Sequence, residues 1–245
     1  MPNRSGLENF IDGNKWAFDF FRVLPKQRAL WGCAFKAAST TLSIALSKVE
    51  GVAKTQFGDE EVTRLSDFGT GEIAEILTAS DWFRFTMVRD PYDRLFSAYK
   101  SKIGNLKAEE YYQGIQDEIR QRYDYPTVDG RRVGIVAFRD FVRFVQEVND
   151  RDPHWSRQDQ LVRIDRVPYD FIGRCESFAE DFRTIMERLG ADQDMLGLGA
   201  VRHGESYRMP LAAAYDSELA RSVYDFYETD FERFGYDRES WRFGG

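Results

Sequence analysis

The sequence predicts an α/β fold, with strands and helices alternating along the chain. Three stretches carry this signal, because each is a short apolar run that is followed by apolar residues at helical spacing. The strand and helix of each pair are expected at 28–35 and 41–49, at 82–88 and 92–100, and at 169–173 and 178–189. Repetition of this unit favours a sheet with helices packed on it.

Length and composition favour a single folded domain. The chain has 245 residues, of which 42% are hydrophobic and 31% are charged, and this is within the range of one α/β unit. The domain is expected to span 1–245, with a polar N-terminal arm at 1–27 and a surface insertion at 104–135 that carries a turn signal at Asp129-Gly130. Further helices are expected at 70–80, 138–148 and 216–234.

Charge and cysteine usage narrow the class of protein. The formal net charge of −7 gives no general attraction to nucleic acid, so an anionic ligand needs a local group of donors. Cys33 and Cys175 lie in apolar stretches and are expected to be buried thiols of a reducing compartment. The sequence has no uncharged apolar stretch near the roughly 20 residues that cross a bilayer, and its start lacks a signal-peptide pattern. A soluble, cytoplasmic protein is therefore expected.

The turn after the first strand is a candidate anion site. Lys36 is followed by small and hydroxyl residues, AASTT, ahead of a helix whose first N–H groups and dipole favour negative charge. The turn is not a Walker A loop, because the glycines of GxxxxGK are missing. Taken alone, these residues also fit a solvated lysine ahead of a capping serine or threonine.

The turn after the second strand carries the run RDPYDRLFSAY, which begins at Arg89. Arg89 leaves the carboxyl end of the strand, the edge at which open α/β sheets bind ligands, and Ser97 lies two helical turns further on. The alternative is that Asp90 and Arg94 form a surface ion pair at i,i+4 spacing and that Ser97 is merely solvated. That alternative does not account for the order of Arg, Asp, Pro and Ser.

Both turns resemble motifs of one family. TMVRDPYDRLFSAYK resembles the 3′-phosphate-binding motif of carbohydrate sulfotransferases that use 3′-phosphoadenosine 5′-phosphosulfate (PAPS), and FKAASTTL resembles their 5′-phosphosulfate loop. DPHWSRQDQL, YDFIGRCESFAEDF and YETDFERFGYD resemble motifs of the HNK-1 and chondroitin branch, sulfotransferase family 2. The resemblance covers most of the chain from residue 28. It implies a P-loop-like, three-layer sandwich around a central parallel sheet.

The resemblance also implies roles for individual residues. Those that would hold the phosphosulfate are Lys36, Ser39, Thr40 and Thr41. Lys36 would lie near the bridging oxygen, where negative charge develops as the nucleotide leaves. Arg89 and Ser97 would bind the 3′-phosphate. No metal is expected, because the sequence shows no carboxylate cluster and no His and Cys pairing at metal-ligand spacing.

The general base is expected among few candidates, because the chain has two histidines, His154 and His203. We choose His154, since it lies in DPHW, where the related sequences also carry His-Trp, and Trp155 is expected to offer a stacking face for a sugar ring. The alternative is that His154 buttresses its loop through a hydrogen bond. Glu176 and Asp181 are rival bases, although both lie where a structural role is expected.

Several features depart from the relatives. Their loop has Pro before the Lys and Gly two residues after it, whereas this chain has Phe35 and Ala38. A late loop of the relatives contacts the nucleotide through Asn and Ser, and Ser206 alone is carried over here. The relatives are mostly membrane-anchored Golgi enzymes with paired cysteines, and the lack of both features here predicts a bacterial-type, cytosolic form.

The predicted function is transfer of a sulfuryl group from PAPS to a hydroxyl of a carbohydrate or glycolipid, in line and with a general base. A P-loop kinase of a small metabolite is the enzymatic alternative, although it needs Mg²⁺ ligands and glycines that the sequence lacks. A noncatalytic nucleotide- or glycan-binding module is the alternative from another class. Retention of Lys36, Arg89, Ser97 and His154 together argues against that module.

Overall fold

The structure is a computed structural model that describes residues 4–51, 62–149, 151–191 and 211–243. Its contacts divide the chain into two compact units. The first unit comprises 1–89 and 158–206, and the second comprises 90–157 and 207–245. The prediction of one domain over the whole chain stays a prediction.

The first unit is built on a four-stranded sheet. Its strands are β1 (Phe21–Leu24), β2 (Ala29–Gly32), β3 (Phe83–Val88) and β6 (Phe171–Arg174), in the order β1-β2-β3-β6. β3 pairs in parallel with β2 and with β6, while β1 adds an antiparallel edge. The carboxyl ends of β2, β3 and β6 therefore lie at one edge of the sheet, where open α/β sheets bind ligands.

Helices cover both faces of this sheet. They are α1 (Arg4–Asn14), α2 (Ser39–Glu50), α3 (Thr70–Thr78), α7 (Gln158–Leu161) and α8 (Phe178–Arg188). Side chains alternate along β2, so that Trp31 packs in one core cluster with α2 and α8, and Leu30 packs in another with α1 and α3. The predicted three-layer sandwich is thus confirmed in this unit, and its central sheet is parallel except for the antiparallel edge strand β1.

The segment predicted to be a polar arm, 1–27, contributes to the core of the first unit. Leu7 and Ile11 on α1 are buried, and so are Phe18 and Phe21 after it. The sequence concealed this role because polar residues separate the apolar ones in RSGLENFIDGN, and only one stripe of α1 is buried. From α1 onward the segment is therefore part of the packed unit and not an arm.

The second unit contains helices packed around aromatic side chains. Its helices are α4 (Pro91–Ala98), α5 (Glu110–Arg122), α6 (Phe138–Val148), α9 (Leu211–Ala214) and α10 (Ser217–Phe234), and a π-helical turn, Tyr99–Ile103, follows α4. Phe96 on α4, Phe141 on α6 and Phe231 on α10 are buried in one cluster. The stripe predicted over 138–148 coincides with α6, and Gly235 ends α10 in the left-handed conformation, with φ of 63°.

The segment predicted to be a surface insertion, 104–135, contains a core helix and an exposed hairpin. Ile115 and Ile119 on α5 are buried in the aromatic cluster of the second unit. The hairpin consists of β4 (Thr127–Val128) and β5 (Arg131–Arg132), and its turn residues Asp129 and Gly130 have φ of 48° and 76°. The hairpin matches the description of a surface insertion. The helix α5 does not, because apolar residues four positions apart anchor its otherwise polar sequence in the core.

Candidate active site

The loop at 33–38, between β2 and α2, has the backbone shape of an anion cradle. Lys36 and Ala38 are both left-handed, with φ of 67° and 56°, while φ of Ala37 between them is negative. Alternation of this kind forms a concavity lined by backbone N–H groups, of which that of Ala37 donates to the carbonyl oxygen of Ala34 at 3.2 Å. Left-handed backbone costs a residue with a side chain about 1–2 kcal/mol. Ala38 thus adopts a conformation for which glycine is the usual residue.

The first turn of α2 adds further donors at this loop. Ala38 is the N-cap residue, and its methyl group accepts no hydrogen bond from the helix. Ser39, Thr40 and Thr41 form the first turn of the helix, at the positive end of its dipole. Backbone N–H groups in a first turn have no acceptor within the helix. Ser39 and Thr41 are buried, and Thr40 is exposed. The four residues predicted to hold the phosphosulfate therefore lie in one loop and one helical turn.

Arg89 reaches the same loop from the neighbouring strand. It follows the last residue of β3, and its guanidinium Nη1 donates to the carbonyl oxygen of Lys36 at 3.3 Å. Both residues are half-buried. The first unit therefore brings the Arg89 guanidinium to the backbone of Lys36, and a cation beside a group of N–H donors favours an anionic ligand.

Gln158 holds the backbone of Arg89, and sequence reasoning missed it. Its Oε1 accepts from the backbone N–H of Arg89 at 3.0 Å, and its Nε2 donates to the carbonyl oxygen of Arg89 at 2.8 Å. The side chain is fully buried at the start of α7. Both polar groups of the Arg89 backbone are thus bound by one carboxamide. The one available signal was the position of Gln158 within DPHWSRQDQL, a segment that the family resemblance covers.

Asp90 and Arg94 are structural residues of the second unit. The Asp90 carboxylate caps α4 by accepting from the N–H groups of Tyr92 at 2.9 Å and Asp93 at 3.3 Å. The Arg94 side chain donates to two carbonyl oxygens of the 152–157 segment, at 2.7 and 2.9 Å. Both residues are buried. The interpretation of Asp90 and Arg94 as a solvated surface pair is therefore wrong.

Ser97 and His154 belong to the second unit, whereas Lys36 and Arg89 belong to the first. Ser97 lies in the second turn of α4 and is half-buried. Its predicted role with Arg89 at a 3′-phosphate stays a prediction.

His154 lies in a hydrogen-bonded cluster with Asp152 and Tyr112. The imidazole Nδ1 is 2.8 Å from Oδ1 of Asp152 and 3.0 Å from the hydroxyl of Tyr112. The side chain of His154 is 16% exposed, and that of Asp152 is 4% exposed. The two roles considered for His154 are therefore compatible, because these hydrogen bonds involve Nδ1 and base chemistry would involve Nε2.

Burial keeps the hydroxyl of Tyr112 protonated. Removal from water, together with the negative charge of Asp152, raises the pKa of Tyr112 well above the ordinary tyrosine range. Tyr112 is on α5, in the segment predicted to be a surface insertion, and sequence reasoning gave it no role at the site.

Trp155 is a core residue and offers no stacking face. Its side chain is 0% exposed, and its ring meets that of Phe141 edge-on, with the centroids 5.3 Å apart. Its carbonyl oxygen accepts from the hydroxyl of Tyr227. The expectation that Trp155 stacks on a sugar ring is therefore wrong.

The rival bases differ in their surroundings. Oδ2 of Asp181 accepts from the backbone N–H of Arg174 at 2.6 Å. This carboxylate therefore has a structural role, because it binds the backbone of the last residue of β6. Glu176 is exposed in the turn that follows β6. His203 and Ser206 lie outside the described residues, and the role predicted for Ser206 stays a prediction.

The described parts of the chain bear on metal binding, membrane insertion and thiol chemistry. Within those ranges, no group of three or more His, Cys, Asp or Glu side chains is placed to hold a metal ion. No helix in the same ranges has both the length and the apolar character needed to cross a bilayer. Cys33 is a buried thiol and Cys175 a half-buried one. The prediction of a metal-independent reaction stays a prediction.

Comparison with known proteins gives the family. Residues 19–237 match the sequence profile of the Sulfotransferase family. The chain belongs to this family. Carbohydrate sulfotransferase 10 of Xenopus laevis is 27% identical to it over 256 residues, which cover 94% of this chain and 71% of that protein. The human carbohydrate sulfotransferase 10 is 27% identical over 251 residues, or 92% of this chain and 69% of that protein.

A second type of relative covers less of the chain. Carbohydrate sulfotransferase 14 of Danio rerio is 33% identical to this sulfotransferase over 166 residues, or 65% of this chain and 43% of that protein. No solved structure matches this sulfotransferase significantly. The family match includes the loop at 33–38 and Arg89, so the recognition that rested on these two turns is confirmed. The protein is an enzyme of sulfuryl transfer, and the kinase and noncatalytic alternatives are not favoured.

Proposed function

We propose that this sulfotransferase moves a sulfuryl group from PAPS to a hydroxyl of a carbohydrate or glycolipid. The proposal is carried by the loop at 33–38, where left-handed backbone at Lys36 and Ala38 lies beside the guanidinium of Arg89. This combination of N–H groups and the Arg89 guanidinium, with Lys36 in the same loop, fits a nucleotide that carries separate 5′- and 3′-anionic groups, as PAPS does. The names of the relatives, carbohydrate sulfotransferases 10 and 14, support a carbohydrate acceptor.

Bound PAPS supplies an activated sulfuryl group, whose sulfur–oxygen bond to the 5′-phosphate breaks on transfer. Lys36 and the N–H groups of the first turn of α2 stabilise the negative charge that develops on the departing phosphate. The hydroxyl side chains that donate to the same anion are those of Ser39, Thr40 and Thr41. Arg89 binds the 3′-phosphate through charge-assisted hydrogen bonds, with Ser97 as a second donor.

His154 acts as the general base. Its Nε2 accepts the proton of the acceptor hydroxyl while the hydroxyl oxygen forms its bond to sulfur. The imidazolium that results carries its positive charge next to the Asp152 carboxylate, whose Oδ1 is 2.8 Å from Nδ1. The proton then passes to solvent, and the ring returns to its neutral form.

Binding of adenosine 3′,5′-bisphosphate tests the donor site. Calorimetric titration of the wild type is expected to show binding of the bisphosphate and weaker binding of adenosine 5′-monophosphate. Arg89→Ala is expected to weaken bisphosphate binding by about 10- to 100-fold, the value of a charged hydrogen bond to phosphate. Arg131→Ala, on the exposed hairpin, is the matched control and is expected to bind like the wild type. Preference of the wild type for ATP with Mg²⁺ would reject PAPS as donor.

Transfer of labelled sulfate from PAPS to a panel of oligosaccharides and glycolipids tests the reaction. We expect Lys36→Ala to lower kcat by about 100-fold, because it removes a charge from the departing phosphate. Lys48→Ala, an exposed lysine of α2, is the control and is expected to keep wild-type turnover. A chelator is expected to leave the rate unchanged. Transfer only to tyrosine or small alcohols would reject the carbohydrate acceptor.

A cytoplasmic location is part of the proposal. The two thiols, Cys33 and Cys175, support it, because reducing compartments keep cysteines in that form. A bacterial-type origin stays a prediction, since the relatives named above come from animals. Fractionation of the native cells tests the location, and recovery of the enzyme with the membranes would contradict it.

A further inference from the structure

The backbone around His154 is firmly anchored within the second unit. The N–H and Oγ of Ser156 both donate to the carbonyl oxygen of Asp152, at 3.0 and 2.8 Å. The guanidinium of Arg94 bonds the carbonyl oxygens of Pro153 and Ser156. The fully buried ring of Trp155, next in sequence to His154, adds a hydrophobic anchor. The 152–157 segment therefore offers the imidazole a fixed point of attachment.

The Asp152 carboxylate lies against both the backbone N–H and the ring of His154. Its Oδ1 accepts from the backbone N–H of His154 at 2.8 Å and lies 2.8 Å from the imidazole Nδ1. The hydroxyl of Tyr112 lies 3.0 Å from the same Nδ1, where its oxygen can accept from an N–H group. An ionised carboxylate only accepts hydrogen bonds, whereas a neutral imidazole has one N–H group and one nitrogen that accepts. A proton on Nδ1 makes the contact with Oδ1 attractive, and a lone pair there would make it repulsive.

We propose that Asp152 is a positioning residue that holds His154 in the tautomer with its proton on Nδ1, so that Nε2 is the proton acceptor. Tyr112 supports this arrangement because its hydroxyl oxygen, 3.0 Å from Nδ1, can accept from the same N–H group. The catalytic consequence rests on the proposed function of His154 as base, whereas the tautomer does not. During transfer, Nε2 takes the proton of the acceptor hydroxyl, Nδ1 keeps its own, and Asp152 remains a carboxylate that faces the imidazolium.

Substitution of Asp152 by leucine removes this preference. Leucine has a similar size but accepts no hydrogen bond from Nδ1, and the Tyr112 hydroxyl, 3.0 Å from Nδ1, can then donate to it and leave the ring proton on Nε2. We expect kcat to fall by about 100-fold, the contribution of a typical general base. The dissociation constant of adenosine 3′,5′-bisphosphate is expected to be unchanged. A residue with only a structural role would alter both quantities together, or neither.

Nitrogen NMR of the imidazole ring tests the tautomer directly. Protein with ¹⁵N-labelled histidine has two imidazoles, and the His203→Gln variant identifies the signals of His154. At a pH at which the ring is neutral, we expect Nδ1 of His154 to give a protonated-nitrogen signal and Nε2 an unprotonated one. The measurement on the wild type needs no substitution at Asp152, so it stands even if a variant folds poorly.

Three variants complete the experiment. Asp152→Leu is expected to exchange the two nitrogen signals and lower kcat, and Tyr112→Phe to keep the tautomer with a loss of kcat of only a few fold. Asp117→Leu, which replaces an exposed carboxylate on α5, is the control and is expected to change neither. A wild-type His154 protonated on Nε2 would overturn the inference while leaving donor binding and sulfuryl transfer intact. Wild-type turnover in His154→Gln would instead overturn the proposed base and leave the tautomer unaffected.

Discussion

Replacing Gln158 by leucine tests whether a buried carboxamide orients Arg89. Leucine has a similar volume but cannot bond either polar group of the Arg89 backbone, so two hydrogen bonds, of 3.0 and 2.8 Å, are lost. A buried polar group without a partner costs about 1–3 kcal/mol. Because Arg89 is half-buried and water reaches part of it, we expect the free energy of unfolding to fall by about 2–4 kcal/mol for the two groups.

The same substitution should weaken donor binding. Gln158 fixes the backbone from which the Arg89 side chain extends. Because the substitution removes that anchor, we expect the dissociation constant of adenosine 3′,5′-bisphosphate to rise by about tenfold, or 1.4 kcal/mol. Denaturant-induced unfolding measures the stability, and calorimetric titration measures the affinity. Gln158→Glu keeps an acceptor for the Arg89 N–H and loses the donor to its carbonyl, so an intermediate loss of stability is expected.

A matched control is available on the same helix. Gln160, two residues further along α7, is half-buried, and Gln160→Leu is expected to keep wild-type affinity. Wild-type stability and affinity in Gln158→Leu would refute the reasoning. An equal loss of affinity in both variants would attribute the effect to α7 as a whole and not to the two hydrogen bonds.

Three further predictions follow from backbone geometry, buried charge and protonation. Ala38→Gly is expected to raise the free energy of unfolding by about 1 kcal/mol, because φ at this position is 56°. Ala37→Gly is the control and is expected to lower the free energy of unfolding, because φ of Ala37 is negative. Equal stability of the two variants in urea unfolding would contradict this prediction. Arg94→Met is expected to lower the free energy of unfolding by about 3–5 kcal/mol, because it leaves two carbonyl oxygens of the 152–157 segment without their charged donor; a stability loss below about 1 kcal/mol would be inconsistent with a structural role. Burial raises the pKa of Tyr125 to about 12, above the ordinary value of about 10, so the folded state binds this proton more tightly than the unfolded state does. Its contribution to stability is therefore fully present below about pH 10 and lost as the pH rises through about 12, and Tyr125→Phe is expected to show a shallower decline of stability in that window.

The sequence alone predicted the features that depend on short stretches of chain. An apolar run followed by helical spacing marks β3 and α4, and the helical stripe at 138–148 coincides with α6. Lys36 was found because it lies in a polar turn ahead of a helix N-terminus, and Arg89 because it follows a strand whose carboxyl end lies at the ligand-binding edge of an α/β sheet. Periodicity and strand ends are local properties, so neighbouring residues are sufficient to reveal them.

The tertiary structure decided the features that depend on distant partners. Gln158 bonds Arg89 across 69 positions of sequence, and Tyr112 meets His154 across 42. The sequence assigned Tyr112 to a surface insertion and Trp155 to a sugar-binding face, whereas packing buries both rings. A side chain's hydrogen-bond partners and burial are set by which elements pack against it, and no local pattern carries that information.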